Sequence, residues 1–349
     1  RRQRQMCIRD SISLSQARPA DPSRPAIIQA EIVPGMGMNI YQLRAWLPGK
    51  GVIEMLEAPP IEAATHSARV GGGILLPWAN RMRGKVSADE KTLETRALGR
   101  KLILPANRRG KEPGAERHSI HGLFLARAMD RVQTSSAADH ASVAGALDAG
   151  DFDGHWLSKT QVAVTATLNE GSFAFDVVAK NTGSEPLPVG IGWHPFFLYP
   201  SGQRGQVRLR LPARRRALVN NYDDVFPTGQ LVAVKGTRYD FSPHGGAPLN
   251  DLYLDDCFVD LERTAEGHTV AELSDPAARY GVRIRATSPQ VRAIQVFAPL
   301  TRKVVAVEPQ FNLADPFGKV WGPEVDTGMV TLRPGESVTY SVRLELFVP

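Results

Sequence analysis

From Ile27 onward, apolar and polar residues alternate with a period of two over short stretches, and Gly, Pro, Asn and Asp interrupt them at frequent intervals. Successive side chains of an extended chain leave on opposite faces, so this pattern sets one face of each stretch on a core. It predicts strands over 161–168, 172–180, 207–211, 282–287, 293–297 and 337–347. Asn181-Thr182-Gly183-Ser184 and Arg333-Pro334-Gly335-Glu336 have the composition of turns, each leading into another strand. Helical period is scarce and nothing resembles a linker between residues 27 and 349. The pattern therefore predicts one all-β domain over 27–349, an antiparallel sandwich or barrel. Residues 1–26 are polar and without period, and are expected to be a disordered or non-native N-terminal arm.

Composition narrows the classes. With 42% hydrophobic and 22% charged residues in 349, the chain has the apolar mass for a large core. The net charge of +6 raises the question of an acidic partner. Much of the positive charge is local, at Arg1, Arg2, Arg4, Arg9, Arg108, Arg109 and Arg214 to Arg216. Scattered clusters do not form the basic stripe with interleaved aromatics of a nucleic-acid binder, so no nucleic-acid partner is expected. Cys7 and Cys257 stand far apart, and neither has a second Cys or a His at metal-ligand spacing, which argues against a disulfide framework and a zinc site. No apolar run is long enough to span a bilayer and the N-terminus has no apolar signal region, so no membrane association and a cytoplasmic location are expected. Gly71-Gly72-Gly73 is not followed by an amphipathic helix, as a dinucleotide-binding loop would be.

Two segments set one titratable group each into an apolar run. His194 lies in Gly192-Trp193-His194-Pro195-Phe196-Phe197, and Glu308 in Val304-Val305-Ala306-Val307-Glu308-Pro309-Gln310-Phe311-Asn312. A histidine and a carboxylate so placed can divide a proton-transfer reaction, one giving and one taking, because burial and neighbours move both pKa values toward working pH.

Six segments, in this order, resemble the aldose 1-epimerase (mutarotase) family: Pro77-Trp78-Ala79-Asn80-Arg81, Ile120-His121-Gly122-Leu123, Gly192 to Phe197, Phe226-Pro227-Thr228-Gly229, Leu254-Asp255-Asp256-Cys257-Phe258 and Val307 to Asn312. A Pro334-Gly335-Glu336 turn precedes the last strand. The resemblance implies the galactose mutarotase-like β-sandwich, and a reaction that interconverts the α and β anomers of a free aldohexose such as galactose or glucose. That chemistry needs one acid and one base at the acetal, and neither metal nor organic cofactor. The resemblance makes Glu308 the base at O1 and His194 the acid at the ring oxygen. It makes His121, Arg81 and Asp255 substrate-binding residues and sets Phe297 against the sugar, with Asn80 as a further polar contact. Asp255 is preferred to Asp256 because neighbouring strand residues face opposite ways. Trp193 and Phe196 are expected to wall the histidine. His194 and Glu308 are expected to face each other a sugar's width apart.

One departure from the family is the basic segment 104–117, with Asn107-Arg108-Arg109-Gly110-Lys111 just before His121. It reads as a solvated loop. The alternative is a phosphate site, which would make the substrate a hexose 6-phosphate. A non-catalytic carbohydrate-binding module is the third reading, against which the acid/base couple speaks. The partner expected is a small-molecule sugar, and the protein a monomer or weak dimer.

Overall fold

The computed structural model describes residues 10–16, 19, 21–63 and 70–349. Among them the regular structure is almost entirely strand, interrupted by four single 3-10 turns, and every strand ladder is antiparallel. An eleven-stranded sheet runs through Ile12–Ser15, Ala26–Val33, Asn39–Leu47, Gly72–Leu75, Gly192–Leu198, Val304–Gln310, Ala293–Ala298, Leu254–Leu261, Ala213–Val219 and Pro227–Ala233, with Gly51–Glu54 added on Asn39–Leu47. A nine-stranded sheet runs from Arg131–Ser136 through His140–Gly150, Thr160–Asn169, Ser172–Asn181 and Ser337–Phe347 to Tyr280–Ala286, Thr269–Asp275, Arg208–Arg210 and Ala247–Pro248.

The two sheets share one core. Phe175 of the second sheet meets Trp193 of the first edge to face at 5.1 Å, and the buried Tyr340 hydroxyl donates to the Pro309 carbonyl at 2.6 Å. Strand alternation supplies this contact. On the four central strands Trp193, Phe197, Val305, Val307, Ile294, Val296 and Phe258 all point into the shared core. The large antiparallel β-sandwich expected from the pattern is the observed architecture.

One part of the expectation fails. Ile12–Ser15 lies within the arm expected to be disordered, yet it pairs with Ala26–Val33 from Ile12↔Ile32 to Ser15↔Gln29 and buries Leu14. Ile12 and Leu14 alternate with serines, a pattern too short to stand out in polar surroundings until a neighbouring strand edge satisfies its backbone. Cys7 and the basic residues Arg1, Arg2, Arg4 and Arg9 lie outside the described residues.

Candidate active site

Strand register places the site. Gln295 pairs with Glu308 on one side and Cys257 on the other. The flanking pairs Gly192↔Gln310 and Phe196↔Ala306 bring His194 alongside Glu308 on its remaining side. One row therefore reads His194, Glu308, Gln295, Cys257 across four strands. Two residues along, the next row on the same face reads Phe196, Ala306, Phe297, Asp255. This is the face turned away from the shared core.

His194 Nε2 stands 3.3 Å from Glu308 Oε1, with side-chain exposures of 9% and 2%. Removal from water disfavours charge on both groups. Burial, reinforced by the Arg302 and Arg81 charges, pushes His194 down to about 3. Burial, reinforced by Asp255 and opposed by Arg81, pushes Glu308 well above the carboxylate range. Both shifts favour the uncharged form of the pair. His194 Nδ1 and Glu308 Oε1 find no hydrogen-bond partner among the described residues. The expected sugar's-width separation is corrected by this contact. O1 and the ring oxygen of an aldose are bonded to the same carbon, so an acid and a base serving both must converge on one edge of the ring.

Beside the pair four side chains close a ring of hydrogen bonds. Arg81 donates to Asp255 Oδ2 at 3.2 Å and to Asn80 Oδ1 at 3.1 Å. Gln295 donates to Asp255 Oδ1 at 2.7 Å and accepts from Asn80 Nδ2 at 2.9 Å. All four are buried, so each contact compensates the lost solvation of the others. Arg81 is held there by Ile120↔Arg81 pairing between Arg81–Met82 and Arg117–Ile120.

His121 follows that strand in the left-handed region, φ 64°, with its N–H donating to the Asn80 carbonyl at 2.9 Å. Next to it Gly122 also has positive φ, and a Cβ there would stand 2.2 Å from the Leu76 carbonyl oxygen, so only glycine fits. The turn aims the His121 ring at His194, edge to face at 5.0 Å. Burial, with the fields of His194, Arg81 and Arg108, lowers the His121 pKa well below its usual range, which makes it a neutral hydrogen-bonding group.

The seven residues singled out from the sequence (Asn80, Arg81, His121, His194, Asp255, Phe297 and Glu308) all line one cleft of about 1020 Å³. Their neighbours divide from them. Asp256 faces the core side, fully buried, paired with Arg216 and accepting from the Tyr222 hydroxyl at 2.9 Å. Arg83 is paired with Glu116 at 2.8 Å and lies over Phe226, away from the cleft lining. Trp193 faces the core and donates to the Gly72 carbonyl, while Phe196 lies against His194 at 4.6 Å. Sequence reasoning missed Gln295, Tyr253 and Arg302, all of which line the cleft. Gln295 was within reach, since it lies two residues before Phe297 in a strand the alternation had marked. The basic loop reaches the cleft through Arg108, Arg109 and Lys111.

Among the described residues no group of three or more His, Cys, Asp or Glu side chains is arranged to hold a metal, and no helix is long and apolar enough to cross a membrane.

Sheet architecture and register define a β-sandwich that sets a buried His–Glu pair, with acid/base capacity, in one open cleft. A sequence model of the aldose 1-epimerase family matches residues 42–345, and the chain belongs to that family. The fold is shared with a galactose mutarotase-like protein from Clostridium acetobutylicum, at 18% identity and TM-score 0.75 over 92% of this chain and 93% of that one. A GalM/aldose epimerase homologue from C. elegans gives 18% and 0.70 over 97% and 99%, and a galactose 1-epimerase from Lactobacillus acidophilus NCFM gives 16% and 0.67 over 97% and 99%.

Proposed function

We propose that this protein is an aldose 1-epimerase that equilibrates the α and β anomers of a free aldohexose, galactose or glucose, by opening and reclosing the ring. The observation that carries the reading is the buried His194–Glu308 contact at 3.3 Å, which opens into a cleft rich in hydrogen-bonding groups.

The proton count works with a single mobile proton on the pair. With a closed sugar bound, that proton is on His194 and Glu308 is a carboxylate. Glu308 then takes the O1 proton as His194 protonates the ring oxygen, the C1–O5 bond breaks, and an aldehyde forms. The pair is left as neutral imidazole and neutral carboxyl, the state that burial favours. Burial therefore pulls the transfers in the ring-opening direction. Rotation about C1–C2 turns the aldehyde, and reclosure returns both protons along the same paths and gives the other anomer. Arg81 favours the carboxylate form of Glu308 in the closed-sugar complex. Asp255 accepts from a ring hydroxyl while Gln295 and Arg81 fix its orientation, His121 binds near the reacting edge, and Phe297 lies against the apolar C–H face of the ring.

Hexose 6-phosphate is the second reading. Arg108 and Lys111 line the cleft without a carboxylate ion-pair partner among the described residues, which supports it, whereas Asp223 on the same rim opposes a dianion. Polarimetry on freshly dissolved α-galactose, α-glucose and glucose 6-phosphate tests the proposal. Faster approach to the equilibrium rotation with a free hexose upholds it, and no acceleration with any of the three moves the protein to the carbohydrate-binding class.

A further inference from the structure

We infer that Asn312 and Asp315 are positioning residues of the reaction, which hold Arg81 in place against Asp255 and Glu308, so that the chain leaving the base also carries the device that sets the charge facing it; this rests on the catalytic reading above. Among the described residues no strand ladder joins 79–83 to 311–315, since Arg81–Met82 pairs with Arg117–Ile120 on its other side. Side chains do the joining. The Ala79 N–H donates to Asn312 Oδ1 at 3.0 Å, and Asn312 Nδ2 donates to the Ala79 carbonyl at 2.9 Å and to the Leu313 carbonyl at 2.9 Å. Asp315 takes over further along. Its N–H donates to the Arg81 carbonyl at 2.6 Å, and its Oδ1 accepts from the Arg83 N–H at 3.0 Å. Ala79, Arg81 and Arg83, alternate residues of one segment, are thus all bonded to Asn312 or Asp315.

The fit around Asn312 is specific. It is fully buried, its one acceptor and both donor directions are engaged, and a Cβ on Gly190 would stand 2.0 Å from its Oδ1. Gly190 leads into Gly192–Leu198, so one amide touches the approaches to the acid, the base and the arginine. Bonds with defined directions fix the offset of two segments in a way that apolar packing does not. Asn80, between the held Ala79 and Arg81, has φ 64°, so the direction in which the Arg81 side chain leaves depends on how Ala79 is anchored.

The titratable and charged groups around the pair come from several elements: Asp255, Cys257 and Tyr340 bear on Glu308, His121 and Arg302 on His194, and Arg81 on both. Of these Arg81 alone lies on the stitched segment. Its charge favours the Glu308 carboxylate that the closed-sugar complex needs, and its guanidinium fixes Asp255 at 3.2 Å. A loosened anchor therefore weakens that field and the substrate geometry together.

The pH profile of mutarotation in variants tests the inference. Asn312→Ala should lower kcat/KM by about 10- to 100-fold and move the alkaline limb, where the pair loses its proton, to higher pH, because Arg81 then favours the carboxylate less. Gly190→Ala, which crowds Asn312 from a third segment, should shift the limb the same way. Asp315→Ala should follow Asn312→Ala, whereas Asp315→Asn keeps the acceptor for the Arg83 N–H and suits the left-handed φ of 50°, and should keep most of the rate with the limb in place. In an Arg81→Gln background Asn312→Ala should add little, since the residue it acts through is gone. A limb unmoved in both Asn312→Ala and Gly190→Ala, or an undiminished effect in the Arg81→Gln background, overturns the positioning role and leaves the epimerase reading intact. If Asn312→Ala fails to fold, Gly190→Ala and the two Asp315 variants decide by the same limb. If the wild type turns over no sugar, the epimerase reading fails by itself. NMR titration of the carbon-13-labelled Glu308 carboxyl, assigned with Glu308→Gln, then decides, an upward move in Gly190→Ala upholding the positioning of Arg81 and an unmoved titration overturning it.

Discussion

The four central strands present two faces that are almost equally buried and chemically opposite. Toward the second sheet stand Trp193, Val305, Val307, Ile294 and Val296, whose burial lowers the free energy of the fold without further conditions. Toward the cleft stand His194, Glu308, Gln295 and Asp255, whose burial costs solvation that only specific partners restore. Gln295 and Asp255 have those partners, but His194 Nδ1 and Glu308 Oε1 do not. Unpartnered buried atoms also occur elsewhere, at Trp78 Nε1 and the Tyr280 hydroxyl, but here an acid and a base of opposite charge type carry them side by side in an open cleft. The neighbours Asp255 and Asp256 repeat the comparison one residue apart, one lining the cleft and the other fully buried against Arg216 and the Tyr222 hydroxyl.

The largest effect that separates the faces is expected at Glu308. Glu308→Gln keeps the shape of the neutral carboxyl and removes the proton acceptor, so mutarotation by polarimetry should fall by at least ~10²- to 10⁴-fold while the melting temperature stays level or rises. Wild-type rates in the glutamine variant would remove the assigned base.

Next come the paired aspartates. Asp256→Asn leaves the Arg216 charge buried and unpaired and should cost ~3–5 kcal/mol in denaturant unfolding, with turnover of the folded fraction retained. Asp255→Asn weakens the charge-assisted contact to the substrate proposed for Asp255 and should cut kcat/KM by about 10- to 100-fold, with a smaller loss of stability. Similar stability losses for the two would erase the distinction between them.

On the apolar face Val307→Ala, immediately before Glu308, should cost about 2 kcal/mol of stability and leave kcat within a few-fold. A kcat loss approaching that of Glu308→Gln would mean that the two faces are not separable.

The smallest effect is a pH signature. An unfolded glutamate ionises above ~4.3, whereas Glu308 keeps its proton in the fold, so the native state binds more protons and stability declines as pH rises toward its raised value. His194 has the opposite sense. Its folded value near 3 lies below the unfolded ~6.5, so the unfolded state takes up the extra proton in that interval and stability declines as pH falls through it. Thermal melts of wild type and Glu308→Gln between pH 5 and 8 should therefore diverge as pH rises, the variant gaining relative to wild type. A constant difference would show that Glu308 is not held protonated.

The alternation of residues 293–297 and 337–347 made those strands legible because side-chain period is a local property of an extended chain. The motifs around His194 and Glu308 likewise announced two titratable groups in apolar runs. Ile12–Ser15 was not legible, since four residues of alternation gain their meaning from the strand edge they join. Gln295 escaped for a related reason, since an amide in a strand looks inert until pairing brings it between Asn80 and Asp255.

By itself, the order of residues determined an all-β chain, its family motifs, and where titratable and aromatic side chains stand in apolar runs, because these depend on residue type and near neighbours. Register between strands distant in sequence decided that His194 and Glu308 touch instead of standing a ring apart, and that Asp255 and not Asp256 meets the cleft. Each of those outcomes turns on which residue of one strand lies opposite which residue of another, and a shift of one position would send every one of these groups to the other face.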